Sequence, residues 1–137
     1  MIPIPNDSEL QSPDTIPIKK PEAREQARLV AALRRNWSFI HISQRPIVAA
    51  IPNGGSRDAR EAMNMKTQGV LAGMPDLIII GPDKTTIFIE MKAADGRVSF
   101  DQNVIHGQIA GLGHPLIVAY SAEEALASLR KLNAERN

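Results

Sequence analysis

The chain has no cysteine, few aromatic residues and no long hydrophobic run. Without cysteine it can form neither a disulfide nor a thiolate metal site. Its apolar segments are much shorter than the roughly 20 residues of a membrane-spanning helix, so we expect no transmembrane segment. The start, Met1 to Pro5, carries neither a basic leader nor an apolar signal core. We therefore expect a cytoplasmic protein.

The aromatic residues and histidines are too scattered to mark a binding site. Trp37, Phe39 and Tyr120 do not form a surface on which single-stranded bases would stack. The histidines have no metal-ligand spacing and do not accompany a serine or cysteine nucleophile, so we interpret them as structural. They are His41, His106 and His114.

Charge is segregated along the chain although the formal net charge is only +1. From Lys19 to Lys66 there are ten basic and four acidic residues. A basic segment of this kind fits a polyanionic partner such as nucleic acid, because contacts to phosphates supply much of that affinity. An ordinary charged surface explains the same pattern equally well.

The length of 137 residues fits one domain. Residues 1–20 contain four prolines among polar residues and no helical or strand periodicity, which predicts an extended or disordered arm. Residues 21–137 form the predicted folded domain. Its helices are predicted at 22–36, 58–69, 99–112 and 122–132, and its strands at 47–51, 77–80, 85–92 and 116–120. The order α-β-α-β-β-α-β-α predicts a small α/β sandwich with a mixed sheet.

Three charged residues lie on the predicted hairpin of the second and third strands. Asp76 stands at the entrance of one strand, and Glu90 and Lys92 lie two residues apart near the end of the other. Residues two apart in a strand point to the same face, so the three side chains can converge. Carboxylate oxygens are the ligands that Mg²⁺ prefers, and a neighbouring lysine can orient water or stabilise charge on a phosphate.

Other interpretations of these residues remain open. Glu90 and Lys92 also fit an ion pair at a strand end, and Asp76 also fits a turn cap. A metal-dependent phosphatase or a ligand-binding α/β domain is a further alternative, although the sequence has no glycine-rich nucleotide loop or histidine cluster to favour it.

A longer series of motifs surrounds the three residues and carries a family resemblance. In chain order they are Glu22-xxx-Gln26, Ile51-Pro-Asn-Gly-Gly-Ser-Arg57, Lys66-xx-Gly69, Ala72-Gly-Met-Pro-Asp-Leu77, Ile89-Glu-Met-Lys92, Gly96-Arg-Val-Ser99 and Gln102. Over residues 21–132 the chain resembles a stand-alone VRR-NUC domain of the PD-(D/E)xK superfamily. The resemblance implies a restriction-endonuclease-like α-β-α sandwich.

The resemblance also implies an activity. The implied activity is that of an endonuclease that hydrolyses DNA phosphodiesters with Mg²⁺, or with Mn²⁺ in its place, and leaves 5′-phosphate and 3′-hydroxyl ends. Asp76, Glu90 and the backbone carbonyl of Met91 would hold the metal, and Lys92 would assist catalysis. Stand-alone members resemble Holliday-junction resolvases that work as homodimers in bacteria or phage-infected cells, which implies branched DNA as substrate. The alternative is an inactive DNA-binding module or partner protein of the same fold.

Glu22 and Gln102 are two further candidates for the active centre. Glu22 lies on the helical stripe of Leu29 and Leu33, and the resemblance implies an acidic group near the metal, acting through water. A carboxylate that favours a helix N-terminus is the alternative, and Glu25 would serve equally. Gln102 is implied to orient water or the lysine, but with Ser99 it also forms a capping box.

The loop from Asn53 to Arg57 and the following helix supply the predicted DNA contacts. Gly54 and Gly55 permit close approach of the backbone to a phosphate, and Ser56 and Arg57 offer polar partners. A glycine turn between strand and helix is the alternative. On that helix Arg60 and Lys66 lie on different faces, so only one of them is expected to reach DNA, and Lys66 is our candidate.

Overall fold

The computed structural model describes residues 11–52 and 58–136. Within them the chain forms four α-helices and four β-strands in the order predicted from the sequence, so the fold class is confirmed. The elements are α1 (Pro21–Arg35), β1 (Ile47–Ala50), α2 (Ala59–Thr67), β2 (Leu77–Ile80), β3 (Thr86–Met91), α3 (Phe100–Gly111), β4 (Leu116–Ala119) and α4 (Ala122–Arg136). None of the described helices is both long enough and apolar enough to cross a membrane.

The four described α-helices begin within one residue of their predicted starts. Pro21 occupies the first turn of α1, where its missing N–H costs nothing. The carboxylate of Asp58 accepts a hydrogen bond from the Glu61 N–H at 2.8 Å and caps α2. Ser99 caps α3 in the predicted capping box. The Asp58 and Ser99 side chains thus accept hydrogen bonds from backbone N–H groups that have no partner inside the helix.

The last helix is longer than predicted. We expected α4 to end near Leu132, but it continues to Arg136. No glycine or proline follows Leu132, and Asn133 is buried, where its side-chain amide donates to the Ile40 carbonyl at 2.8 Å. This tertiary contact stabilises the final turn.

The second half of the predicted arm contacts α1. Residues Pro13–Thr15 form a 3-10 turn, a short element that helical or strand periodicity does not reveal. The Arg24 guanidinium donates to the Ile16 carbonyl at 2.7 Å, and Arg28 pairs with Asp14. The hydrogen bond and charge of Arg28 lower the pKa of the Asp14 carboxyl. Residues 1–10 lie outside the described residues.

The four strands form one mixed sheet in the order β1-β2-β3-β4. β1 with β2 and β2 with β3 are antiparallel, whereas β3 and β4 are parallel. A parallel pair requires a crossover, and α3 supplies it. In the β2–β3 turn, Asp83 and Lys84 both have positive φ, at 57° and 61°.

The helices cover the sheet on both faces. Leu29 and Leu33 of α1 and Leu129 of α4 pack against the face that carries Ile87 and Ile89. Because neighbouring strand residues alternate, Phe88 and Glu90 point to the other face. α3 covers that face with buried Ile105 and Ile109. α2 has no buried residue.

Candidate active site

Asp76 and Glu90 are neighbours across the β2–β3 hairpin. Leu77 pairs with Ile89, so Asp76, one residue earlier, stands opposite Glu90. The Asp76 carboxylate oxygen Oδ2 accepts a hydrogen bond from the Met91 N–H at 2.8 Å, and its carbonyl accepts one from Ile51 at 2.8 Å. The strand pairing and these two bonds fix the position of Asp76.

Glu90 is buried beside a second carboxyl group, with only 1% of its surface exposed. Burial, followed by the hydrogen bond and charge of Asp76, raises the pKa of Glu90 to about 9, while the charge of Lys92 acts in the opposite direction. Two carboxyl groups in one buried site destabilise each other's charged form. A cation between them would remove that cost.

Gln102 connects Lys92 to Glu90. Its side-chain oxygen accepts a hydrogen bond from the Lys92 ammonium at 2.7 Å and another from the Ser99 N–H at 2.9 Å. Its side-chain nitrogen donates to Glu90 Oε1 at 2.9 Å. The two interpretations of Gln102, helix cap and site residue, are therefore compatible, because one side chain makes both sets of contacts.

His106, which we interpreted from the sequence as structural, lies against the same site. Its Nε2 is 3.5 Å from Glu90 Oε1. Burial, followed by the charge of Lys92, lowers the pKa of His106, which favours the neutral imidazole. The signal available in the sequence was its spacing, because residues 102 and 106 lie on one face of a helix.

Glu22 does not take the inward position that the stripe predicted. It lies in the first turn of α1 and is exposed. α1 also packs on the sheet face opposite to Glu90. Periodicity gives the direction of a residue on a helix, but not how far the helix end extends beyond the surface it covers. The partly buried carboxylate is that of Glu25, which accepts a hydrogen bond from the Ala122 N–H at 3.0 Å.

The donor set at the hairpin fits a hard divalent cation. Asp76 and Glu90 supply carboxylate oxygens, and the peptide group of Met91 is held beside them by its bond to Asp76. Across residues 11–52 and 58–136 no group of three or more His, Cys, Asp or Glu side chains is arranged to hold a metal. Mg²⁺ does not need such a cage, because it typically binds one or two carboxylates and retains several waters.

The predicted DNA-binding residues are only partly described. Asn53 to Arg57 lie outside the described residues. Lys66 is exposed in the last turn of α2 and lines an open groove of about 480 Å³ with Phe100 and Val104 of α3. Its contact with DNA stays a prediction.

Comparison with known proteins identifies the family. The family model of the VRR-NUC domain matches residues 11–123. A solved structure described as a VRR_NUC domain is 17% identical, with a TM-score of 0.49, and the match covers 82% of this chain and 98% of that chain. No curated protein matches the sequence. The chain therefore belongs to the VRR-NUC domain family and is a nuclease-type domain.

Proposed function

We propose that this protein is a magnesium-dependent endonuclease that hydrolyses phosphodiester bonds in branched DNA. The observation that carries the proposal is the convergence of Asp76, Glu90 and Lys92, with Gln102 bonded to both Glu90 and Lys92. Two carboxylates and a lysine are the groups that a cation-assisted attack of water on a phosphate requires.

Asp76 and Glu90 would hold Mg²⁺ together with the backbone carbonyl of Met91, and Mn²⁺ would substitute. When bound, the ion would supply polarisation of a phosphoryl oxygen and a lowered pKa for water. Glu22, exposed in α1, would act on this site only through water.

Lys92 supplies the positive charge next to the carboxylates. Its ammonium is held at 2.7 Å from the Gln102 oxygen, which limits the positions it can take. From there it orients the attacking water or stabilises charge on the phosphate. We expect cleavage to leave 5′-phosphate and 3′-hydroxyl ends.

A branched duplex is the proposed substrate. The basic segment from Lys19 to Lys66 would contact phosphates, with residues 53–57 and Lys66 nearest to the DNA. The few scattered aromatic residues argue against recognition of single strands by stacking. We place this activity in the cytoplasm of a bacterium or of a phage-infected cell.

A homodimer is the proposed working form, because paired cuts at a junction need two metal sites. The outer face of α3, opposite Gln102 and His106, supports it. Phe100 and Val104 on this face are 80% and 44% exposed, and Leu112 at the helix end is 77% exposed. Such a patch of exposed apolar side chains is typical of a protein interface.

Cleavage assays test the nuclease. Labelled four-way junctions, flaps and linear duplexes are incubated with Mg²⁺ or with chelator. We expect Asp76→Asn, Glu90→Gln and Lys92→Ala each to lower the cleavage rate by about 100-fold or more. Glu135→Gln and Lys131→Ala, at exposed positions of α4, are the matched controls and should cut like the wild type.

Two results would contradict the proposal. Folded variants of the three residues that cut as fast as the wild type would remove these residues from the mechanism. DNA binding without cleavage in any cation, unaffected by these substitutions, would instead favour the inactive binding module.

Light scattering on the protein bound to junction DNA tests the dimer. We expect Val104→Glu to shift the mass toward that of a monomer, because it places a charge in the apolar patch. Ala127→Glu, at an exposed position of α4, is the control and should leave the mass unchanged. A wild-type monomer on the junction would refute the homodimer.

A further inference from the structure

Two side chains of α3 approach the same oxygen of Glu90. The Gln102 amide nitrogen donates to Oε1 at 2.9 Å, and Nε2 of His106 lies 3.5 Å from that oxygen. The two residues are four apart in α3 and therefore share a helix face. The Gln102 amide nitrogen and His106 Nε2 therefore both lie on the Oε1 side of the Glu90 carboxylate.

The His106 imidazole is enclosed at this position. Its side chain is only 11% exposed, and its Nε2 is buried without a hydrogen-bond partner among the described residues. A buried nitrogen without a hydrogen-bond partner destabilises a fold, so its presence calls for a specific reason. The Glu90 side chain, whose Oε1 lies 3.5 Å from this nitrogen, is itself only 1% exposed.

The backbone of Glu90 cannot reorient freely, because β3 pairs with β2 on one side and with β4 on the other. The carboxylate can still rotate about its own side-chain bonds. Contacts to Oε1 from two α3 residues restrict that rotation. They leave Oε2 as the oxygen without a partner from α3.

We propose that His106 is a positioning residue that, together with Gln102, holds Oε1 of Glu90 so that the carboxylate presents Oε2 to a divalent cation. This inference rests on the proposed function, since it concerns the same cation site. His106 acts through Glu90 and touches neither the DNA nor the cation. Groups that orient a metal ligand in this way typically contribute about 10- to 100-fold to metal affinity.

Titration calorimetry with Mg²⁺ in the absence of DNA measures this contribution. His106→Leu fills the space without a donor, whereas His106→Gln keeps a side-chain nitrogen that can reach the position of Nε2. We expect the leucine variant to bind Mg²⁺ about 10-fold more weakly or worse, and the glutamine variant to recover most of the affinity. Thermal unfolding of both variants shows that the comparison is made on folded protein.

His114 provides the matched control. It follows α3 and makes an edge contact with Phe88, two residues before Glu90, with ring centroids 6.1 Å apart. His114→Leu should leave Mg²⁺ affinity unchanged. A His106→Leu variant with wild-type affinity would overturn the proposal. Equal losses in the leucine and glutamine variants would also overturn it, because packing alone would then explain the effect.

A measurement on the metal-free protein separates this inference from the proposed function. We expect Glu90→Gln to shift the imidazole ¹⁵N resonances of His106 and to leave those of His114 unchanged. If the wild type binds no Mg²⁺ but this shift is seen, the proposed function fails while the His106–Glu90 contact stands. Unchanged His106 resonances would overturn the contact, and the positioning role with it.

Discussion

Gly73, in the loop that leads to Asp76, permits a close approach to α3 that no other residue allows. Its φ is +95°, and a Cβ built there would lie 2.4 Å from the Asp101 carbonyl oxygen, 2.7 Å from its carbon and 3.0 Å from Ile105 Cγ1. The first two atoms are backbone and cannot rotate away. Gly73→Ala must therefore move the start of α3, where Gln102 follows Asp101.

The expected cost has two parts. A side chain at positive φ costs about 1–2 kcal/mol, and forcing a methyl group into a packed site costs about 1–3 kcal/mol. The sum of about 2–5 kcal/mol leaves a domain of ordinary stability folded. At about 3–4 °C per kcal/mol, the unfolding midpoint should fall by roughly 6–20 °C. Below that midpoint, the proposed Mg²⁺-dependent cleavage should also be slower, because Gln102 is displaced from Lys92 and Glu90.

Variants of two other glycines separate the backbone term of this destabilisation from the steric term. Gly69 has a φ of +108° with nothing within 4 Å of an added Cβ, so Gly69→Ala should lose only the backbone term of about 1–2 kcal/mol. Gly107, within α3, has equally open space and no positive φ, so Gly107→Ala should gain about 0.5–1 kcal/mol. Calorimetry of the three variants checks the order. If Gly73→Ala is no less stable than Gly69→Ala, the contact with α3 is not what requires glycine.

Other parts of the fold give further predictions. Asn133→Ala leaves the buried Ile40 carbonyl without its donor and should lower the free energy of unfolding by about 1–3 kcal/mol in urea titrations; an unchanged midpoint would contradict this. Lys84→Gly relieves a positive φ and should raise the same free energy by about 0.5–1 kcal/mol, whereas a loss would show that the turn is not strained. The Asp14–Arg28 pair stabilises the fold above the unfolded-state pKa of Asp14 and ceases to do so as the pH falls through the lower folded value. Arg28→Ala should therefore raise the pKa of Asp14 toward its ordinary value in an NMR titration; no change would refute the pairing.

The sequence was sufficient to predict the element order and the hairpin. The strands are short β-branched runs bounded by turns, and their two-residue period places Glu90 and Lys92 on one face. Asp76 and Glu90 are neighbours because the hairpin register places them opposite each other. Local signals were enough wherever the contact joins neighbouring strands.

Contacts that depend on how separate layers pack were harder to predict. Glu22 has the period of a buried residue but lies in an exposed first turn. His106 has no ligand spacing in the sequence, and only the packing of α3 on the sheet brings it to Glu90. The length of α4 depends on Asn133, whose partner, Ile40, is 93 residues away. Periodicity carries no information about such partners.

The double use of Gln102 links activity to the local stability of one helical turn. A single side chain completes the first turn of α3 and also holds the lysine and the buried carboxylate. Each time that turn frays, both groups lose their common partner at once, even while the rest of the domain stays folded. Ser99 therefore affects the proposed activity through this cap, because its hydroxyl accepts the Gln102 N–H. A substitution of Ser99 that loosens the cap would slow the proposed cleavage without changing a residue that holds the metal.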